Sequence, residues 1–382
     1  MSSSEFEILK LAVRLDDQAA AVEEARKIIG SHRIGWDDLL VRADMHSIKP
    51  QLAGLLSGMT EPLVPALFSE KIGDARRQNL YEQLSYVAEF FEIISMLSEA
   101  GITAVPFKGF WLAHEYYGNL ADREGVDIDL LIDYDDLDSV IELMPLRGYR
   151  LERSSDPGLV DKIKKESAEL NFDRFEGDVR IFHVEFHWKI GSSFSGLDIS
   201  LQELMPMTEM SMIQGRELLV FNASASFLLA LMHHAGKDPL IKLKQPLDVG
   251  QMLAKEAEID WDWVIGKARR YNIEKGVYII VALASVLTGA AIPGALRSRV
   301  EIGQIRRLAE GRIKAMSLSP ALWHRIGYGR GRLMFHLRTR TGFKIRARMI
   351  YDYLRAVIIG LVVPRVFLDY YLRKRYNITS RK

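Results

Sequence analysis

Two carboxylates sit two residues apart in the apolar run Val126-Asp127-Ile128-Asp129-Leu130-Leu131-Ile132, and they are the residues here best suited to chemistry. Strand side chains alternate between faces, so Asp127 and Asp129 share one face while Val126, Ile128 and Leu130 share the other. Like charges at this spacing repel, and a divalent cation is the natural way to hold them together. Oxygen ligands suit Mg2+ or Mn2+, which keep several waters and complete their shell with substrate phosphates. The competing reading is a strand whose polar face lies in water.

Two neighbouring stretches favour the first reading. Lys108-Gly109 stands between an apolar entry, Ile102 to Val105, and a helical pattern from Phe110 to Tyr117. Glycine at a strand-to-helix turn lets backbone approach a ligand. The following helix offers its first N–H groups to a phosphate, and Lys108 adds a point charge. The second stretch is Arg180 to Lys189, RIFHVEFHWK. Period two puts His183, Glu185 and His187 on one face and Phe182, Val184, Phe186 and Trp188 on the other, so Glu185 is a third candidate metal ligand. Arg123, in the polar loop before Asp127, can reach a phosphate or pair with the acids beside it. His233 and His234 are adjacent on a helical pattern and point about 100° apart, so they are not a matched ligand pair. One of them, with Lys237, is expected near the nucleotide.

Taken in order, these residues resemble a known family. Lys108-Gly109 and a helix come first, then Arg123 and Asp127-Ile-Asp129-Leu-Leu-Ile132. A helix ending in Arg147-Gly148-Tyr149 follows, then Val184-Glu185-Phe186-His187-Trp188. The pattern is similar to the bacterial uncharacterised nucleotidyltransferase family of the DNA polymerase beta-like superfamily. The likeness spans residues 80 to 300 and continues through Leu231-Met-His-His234, Pro246-Leu-Asp248 and Ile259-Asp-Trp261. The wider superfamily's phosphate turn is Gly-Gly or Gly-Ser, whereas Lys-Gly stands here, as is common in the family resembled. The resemblance implies metal-dependent transfer of an NMP group from an NTP, ATP by default, to a hydroxyl-bearing acceptor, with release of pyrophosphate. Asp127, Asp129 and Glu185 would be the catalytic metal ligands. Lys108, Gly109, Arg123, His187, His234 and Lys237 would lie at the nucleotide. The rival reading is a catalytically silent scaffold of the same fold, at a membrane surface or in a biosynthetic complex. The acceptor, whether sugar, small molecule, peptide or protein, is not written in the sequence, and fold-level analogy does not supply it.

The elements that must position these residues give an α+β expectation: a small mixed sheet with flanking helices, embedded between N- and C-terminal helical regions. Residues 1–100 read as helical, with Trp36 to Met45 and Ser47 to Leu56 as short helices. Asn79 to Ala100 reads as a long amphipathic one carrying Leu80, Leu84, Val87, Phe90, Ile93 and Leu97. Residues 101–195 form the α/β core, with a hairpin around Glu176-Gly177-Asp178. Residues 196–320 are expected to be a helical domain, and 321–382 a basic amphipathic helical tail. The uncharged stretch from Gly276 to Leu296 approaches membrane-spanning length. Its glycines, Pro293 and polar residues favour a buried helix ending near Gly289.

Composition sets outer bounds. The chain of 382 residues has 48% hydrophobic and 26% charged residues, as in an ordinary globular protein. It has no cysteine, which excludes disulfides, thiolate nucleophiles and Cys-ligated zinc. The opening MSSSEFEILKLAVRLDD is acidic and polar, unlike a secretory leader, and a cytoplasmic protein is expected. The net charge of +1 hides a basic end: residues 323 to 382 hold Arg373-Lys-Arg375 and only two acids, Asp352 and Asp369. Beside the apolar run Ala356 to Val363, that balance suits either helices packed on the body or an anionic membrane surface. No RNA-binding motif supports nucleic acid as a partner.

Overall fold

The computed structural model describes residues 3–60, 63–152, 157–190, 196–237, 240–319, 322 and 330–362. Four helices open the chain: α1 (Ser4–Ala12), α2 (Gln18–Ser31), α3 (Trp36–His46) and α4 (Lys49–Leu56). Ser3 and Asp17 start the first two by accepting hydrogen bonds from the N–H groups of Phe6 and Ala20, which satisfies donors a helix leaves unpaired. A long helix, α5 (Ala66–Glu99), crosses the back of the sheet. It begins well before the expected Asn79, because Phe68 and Ile72 bury one side and nothing breaks the helix between Pro65 and Gly101. Val87, Phe90, Ile93 and Leu97 are buried as their spacing predicts, whereas Leu84 is exposed. Asn79 and Gln83 are buried in its place.

The sheet has five strands: β1 (Ala104–Pro106), β2 (Ile128–Ile132), β3 (Tyr149–Leu151), β4 (Glu169–Glu176) and β5 (Val179–His187). Their order is β1-β2-β5-β4-β3. β2 and β5 run parallel and the remaining pairs antiparallel, so the sheet is mixed. Ile128, Leu130, Val184 and Phe186 are fully buried. Val126, expected on that apolar face, lies before the strand and is 61% exposed. The β4–β5 hairpin turns at Gly177, as its Glu-Gly-Asp sequence predicts.

Residues 196–320 are not wholly helical as expected. They include a hairpin, β6 (Thr208–Ile213) and β7 (Arg216–Phe221), paired from Ile213↔Arg216 outward. Its two turn residues, Gln214 and Gly215, have φ of 50° and 78°, the double left-handed turn that matches strand twist. Glutamine in the first position hides the signal that asparagine or aspartate would give. Helices Ala223–Leu231, Lys244–Leu253, Trp261–Arg270, Glu274–Thr288 and Gly303–Met316 complete this region. The uncharged stretch is indeed a buried helix that stops at Gly289. It crosses the Lys244–Leu253 helix closely, because a Cβ on Gly250 would stand 2.5 Å from Thr288 Oγ1. Among the described residues no helix is long and apolar enough to cross a membrane.

Helices Arg330–Thr339 and Phe343–Val362 follow. Arg340, between them, is 1% exposed and donates to the carbonyls of Tyr271 and Gly236. This part of the basic segment is therefore docked on the body through a buried guanidinium. Arg373-Lys-Arg375 lies outside the described residues.

Candidate active site

The register of β2 against β5 builds the site. Asp129 stands directly opposite Glu185, and Leu131 opposite His187. Neighbouring strands lie about 4.8 Å apart, so paired residues on one face bring their side-chain ends together. His187 Nε2 is 3.3 Å from Asp129 Oδ1 and 3.1 Å from Glu185 Oε2. Candidate ligand atoms of Asp129, Glu185 and His187 all lie within 4.8 Å of one another. The ring of Phe107 packs edge-on against His187, at 5.0 Å between centroids, and fixes its plane.

Lys108 brings a lysine cation into this cluster. Its Nζ lies 2.6 Å from Asp129 Oδ1, and both side chains are buried. The turn that carries it is pressed onto the carboxylate strand. Gly109 has φ of 59°, and a Cβ there would stand 2.9 Å from the carbonyl oxygen of Asp127. Any other residue would be both strained and in collision with backbone. The chain then enters a short helical turn, Phe110–Leu112, and a wider one, Ala113–Tyr117.

Charge explains the protonation pattern. Burial pushes Asp127 up, and repulsion from Asp129 and Glu185 adds to that, bringing it to about 6 against the pull of Lys108 and Lys244. Burial also works to raise Asp129, but the Lys108 ammonium and His187 outweigh it and hold the carboxyl below its usual range. Glu185 opposes the same burial with hydrogen bonds to His183 and His187 and stays well below the usual carboxylate range. His183 is braced from behind by Asp173, with Nδ1 2.7 Å from Oδ1. Burial opposes its proton, yet Asp173 and Glu185 together raise it to about 10.

A second buried cluster lies on the other side of the Lys108-Gly109 turn. Arg123 donates through Nε and Nη2 to Asp248, at 2.8 Å and 3.0 Å, and through Nη1 to the carbonyl of Gly109 at 2.9 Å. Asp248 also accepts from the Tyr117 hydroxyl at 2.6 Å and faces His234 Nε2 at 3.0 Å. Arg123 and His234, expected at the nucleotide, are thus engaged with Asp248 inside the protein. Lys244, on the same helix as Asp248, donates to the carbonyl of Glu124. Burial lowers it to about 8, and Arg123 pushes the same way. Lys237 ends the turn Met232–Lys237, and its side chain lies outside the described residues.

The loop leading into the carboxylate strand is held by α5. Asn79 Nδ2 donates to the carbonyls of Ala121 and Arg123, Gln83 Nε2 to that of Gly125, and the Tyr86 hydroxyl to that of Val126. These residues, with Asp173, are the part of the site that sequence reasoning missed. The available signal was a polar residue every turn along the apolar side of a helix, at Asn79, Gln83 and Tyr86. A cavity of about 880 Å³ lined by Leu56, Met59, Ile72, Arg76, Leu80 and Asn119 lies between α4 and α5, apart from the carboxylates.

The arrangement is a negatively charged patch on a rigid sheet, under a lysine-bearing turn whose backbone touches it. Two carboxylates and an imidazole are a donor set that fits a divalent ion. The model of a family described as an uncharacterised nucleotidyltransferase matches residues 32–289 of the chain. No curated protein and no solved structure matches it.

Proposed function

Because the chain belongs to this uncharacterised nucleotidyltransferase family, we propose that it transfers an NMP group from an NTP to a hydroxyl-bearing acceptor at the Asp129–Glu185 patch, releasing pyrophosphate. The observation that carries this reading is the direct pairing of Asp129 with Glu185 across parallel strands, beneath the Lys108-Gly109 turn. Asp127, Asp129 and Glu185 would hold a Mg2+ or Mn2+ ion, and His187, once its proton has left, would offer a nitrogen that favours Mn2+ of the two. Bound there, it would supply charge neutralisation for the phosphates and for the entering and leaving oxygens of an in-line displacement.

The chain's own groups do the rest. Lys108 supplies a positive charge that Asp129 holds in place until phosphates arrive. The Gly109 backbone leaves room for a phosphate to approach the first N–H groups of the following turn. Two histidines keep Glu185 ionised by facing its two oxygens from either side. Residues 101–195 carry the chemistry, 1–100 brace the loop before Asp127, and 196–320 hold the lysine turn from the far side. ATP is the default donor. Calorimetry with each of the four NTPs and Mg2+, on wild type and on Asp127→Asn/Asp129→Asn, tests the reading. Metal-dependent binding lost in the double variant supports it, and failure of all four NTPs to bind wild type overturns it.

A second reading, attachment to an anionic membrane surface, rests on the Phe343–Val362 helix. Phe343, Ile350, Tyr351 and Leu354 are exposed on one helical face, with exposed Lys344 and Arg348 beside them. That combination suits a helix lying flat in a lipid interface. Sedimentation with phosphatidylglycerol vesicles, comparing wild type with Phe343→Ser/Leu354→Ser, decides it; equal binding of the two removes the helix from the account.

A further inference from the structure

Asp248 lies 125 residues from Arg123 in sequence, yet it takes both Nε and Nη2 of that guanidinium. The remaining terminal nitrogen, Nη1, reaches the carbonyl of Gly109. A planar guanidinium gripped at two corners has its third direction fixed. Tyr117 and His234 grip Asp248 in turn, so the carboxylate cannot rotate without breaking hydrogen bonds to elements on either side. Arg123 is itself anchored at its own carbonyl by Asn79. Arg123, Asp248 and His234 are buried, at 5%, 1% and 5% exposed, and Tyr117 is half-buried. The link ends at Gly109, whose φ is 59° and whose backbone is pressed on Asp127.

We propose that Asp248 is a positioning residue for the nucleotide site: acting through Arg123, it fixes the Gly109 carbonyl and so the direction of Lys108 and of the N–H groups that follow. The helical region after the sheet thereby takes part in phosphate binding without touching the phosphate. The proposal rests on the nucleotidyltransferase reading for its link to phosphate, and on the geometry alone for its link to the turn. A structural ion pair with no positioning role would serve equally well as two apolar side chains, since a buried pair can often be replaced by hydrophobic residues of similar volume without loss of stability. This distinction provides the test.

The experiment uses the full chain as wild type, Arg123→Met/Asp248→Leu and Arg123→Lys. Three quantities are measured: thermal unfolding, amide hydrogen exchange resolved along the chain, and Mg2+-dependent affinity for the four NTPs. The double variant is expected to unfold near the wild-type temperature. Its amides at 109–113 should exchange at least tenfold faster while those of β2 and α5 keep their protection, and its NTP affinity should fall at least tenfold. Arg123→Lys keeps a charge for Asp248 but lacks the fork, so it should show the same local loss even if the double variant fails to fold. Unchanged exchange at 109–113 in a folded variant overturns the proposal. Exchange that rises everywhere alike also overturns it, by showing a general structural role. If wild type binds no NTP, the functional reading falls, while the exchange data still decide whether Asp248 holds the turn.

Discussion

Two buried charge clusters meet at the Lys108-Gly109 turn, and they are built on opposite principles. Around Asp129 three carboxylates, Asp127, Asp129 and Glu185, face one lysine, Lys108, and their charge is matched only while His183 and His187 hold protons. Around Asp248 the charge is balanced: one carboxylate meets one guanidinium and accepts from a hydroxyl as well. An unbalanced cluster is costly to fold and ready to take a cation. A balanced one is satisfied and has nothing left to offer a ligand. The difference teaches which cluster does chemistry and which one aims it, although both contain residues that look catalytic in the sequence.

The largest effect expected from breaking this comparison is on stability. Asp248→Leu leaves Arg123 buried without its partner, which should cost about 3–5 kcal/mol, read by urea unfolding. Asp127→Asn, at the unbalanced cluster, should leave stability equal or higher in the absence of metal, because it relieves like-charge repulsion. Equal losses in both variants would erase the distinction. Next in size, Asp129→Asn or Glu185→Gln should lower pyrophosphate release from the bound NTP by about 10²-fold or more. Their far-ultraviolet circular dichroism should match wild type. Retained turnover would move the chemistry elsewhere.

A histidine outside both clusters sharpens the contrast. His46 in α3 is fully buried, beside Phe6 and with the Leu243 N–H donated to its Nδ1. Burial lowers it to about 3, with Lys242 and Arg42 adding to the effect. Its folded value lies below the unfolded 6.5, so the unfolded chain binds more protons between these limits and stability falls as pH falls through them. Between pH 6.5 and 5 the loss should be about 2 kcal/mol. His46→Gln should flatten that part of the stability curve; an unchanged slope would assign the acid sensitivity to other groups. The smallest effect is expected at Lys108→Met. It removes the cation that Asp129 already holds, so Mn2+ should bind about tenfold tighter without nucleotide, by electron paramagnetic resonance, as the local Coulomb opposition disappears. NTP affinity should fall in the same variant. Weaker Mn2+ binding would mean that Lys108 organises the carboxylates instead of competing with the ion.

Much of the site was legible before the fold. The alternation in Val126 to Ile132 and in Arg180 to Lys189 puts Asp129, Glu185 and His187 on polar strand faces, and Lys108-Gly109 reads as a close-approach turn. The hairpin at Gly177 and the helix stop at Gly289 were also readable, because each depends on neighbours in the chain. Asn79 and Gln83 were not, since a polar residue on a helix is normally in water and only the loop carbonyls it meets make it buried. Arg123 has two equal readings in sequence, a phosphate or the acids beside it, and neither is the partner it takes. The acid that took it, Asp248, comes from a helix that Gly250 lets close against another.

The sequence by itself determined which residues share a face, because backbone geometry imposes period two on a strand whatever it pairs with. It determined the Lys-Gly turn for a similar reason: only glycine tolerates that φ against the carbonyl of Asp127. Tertiary structure alone decided that Asp129 lies opposite Glu185 and not one residue along, and that Arg123 belongs to Asp248. Register and long-range pairing are chosen by burying Ile128, Leu130, Val184 and Phe186 together while pairing Arg123 with Asp248. That optimum belongs to the whole chain, and no local stretch contains it.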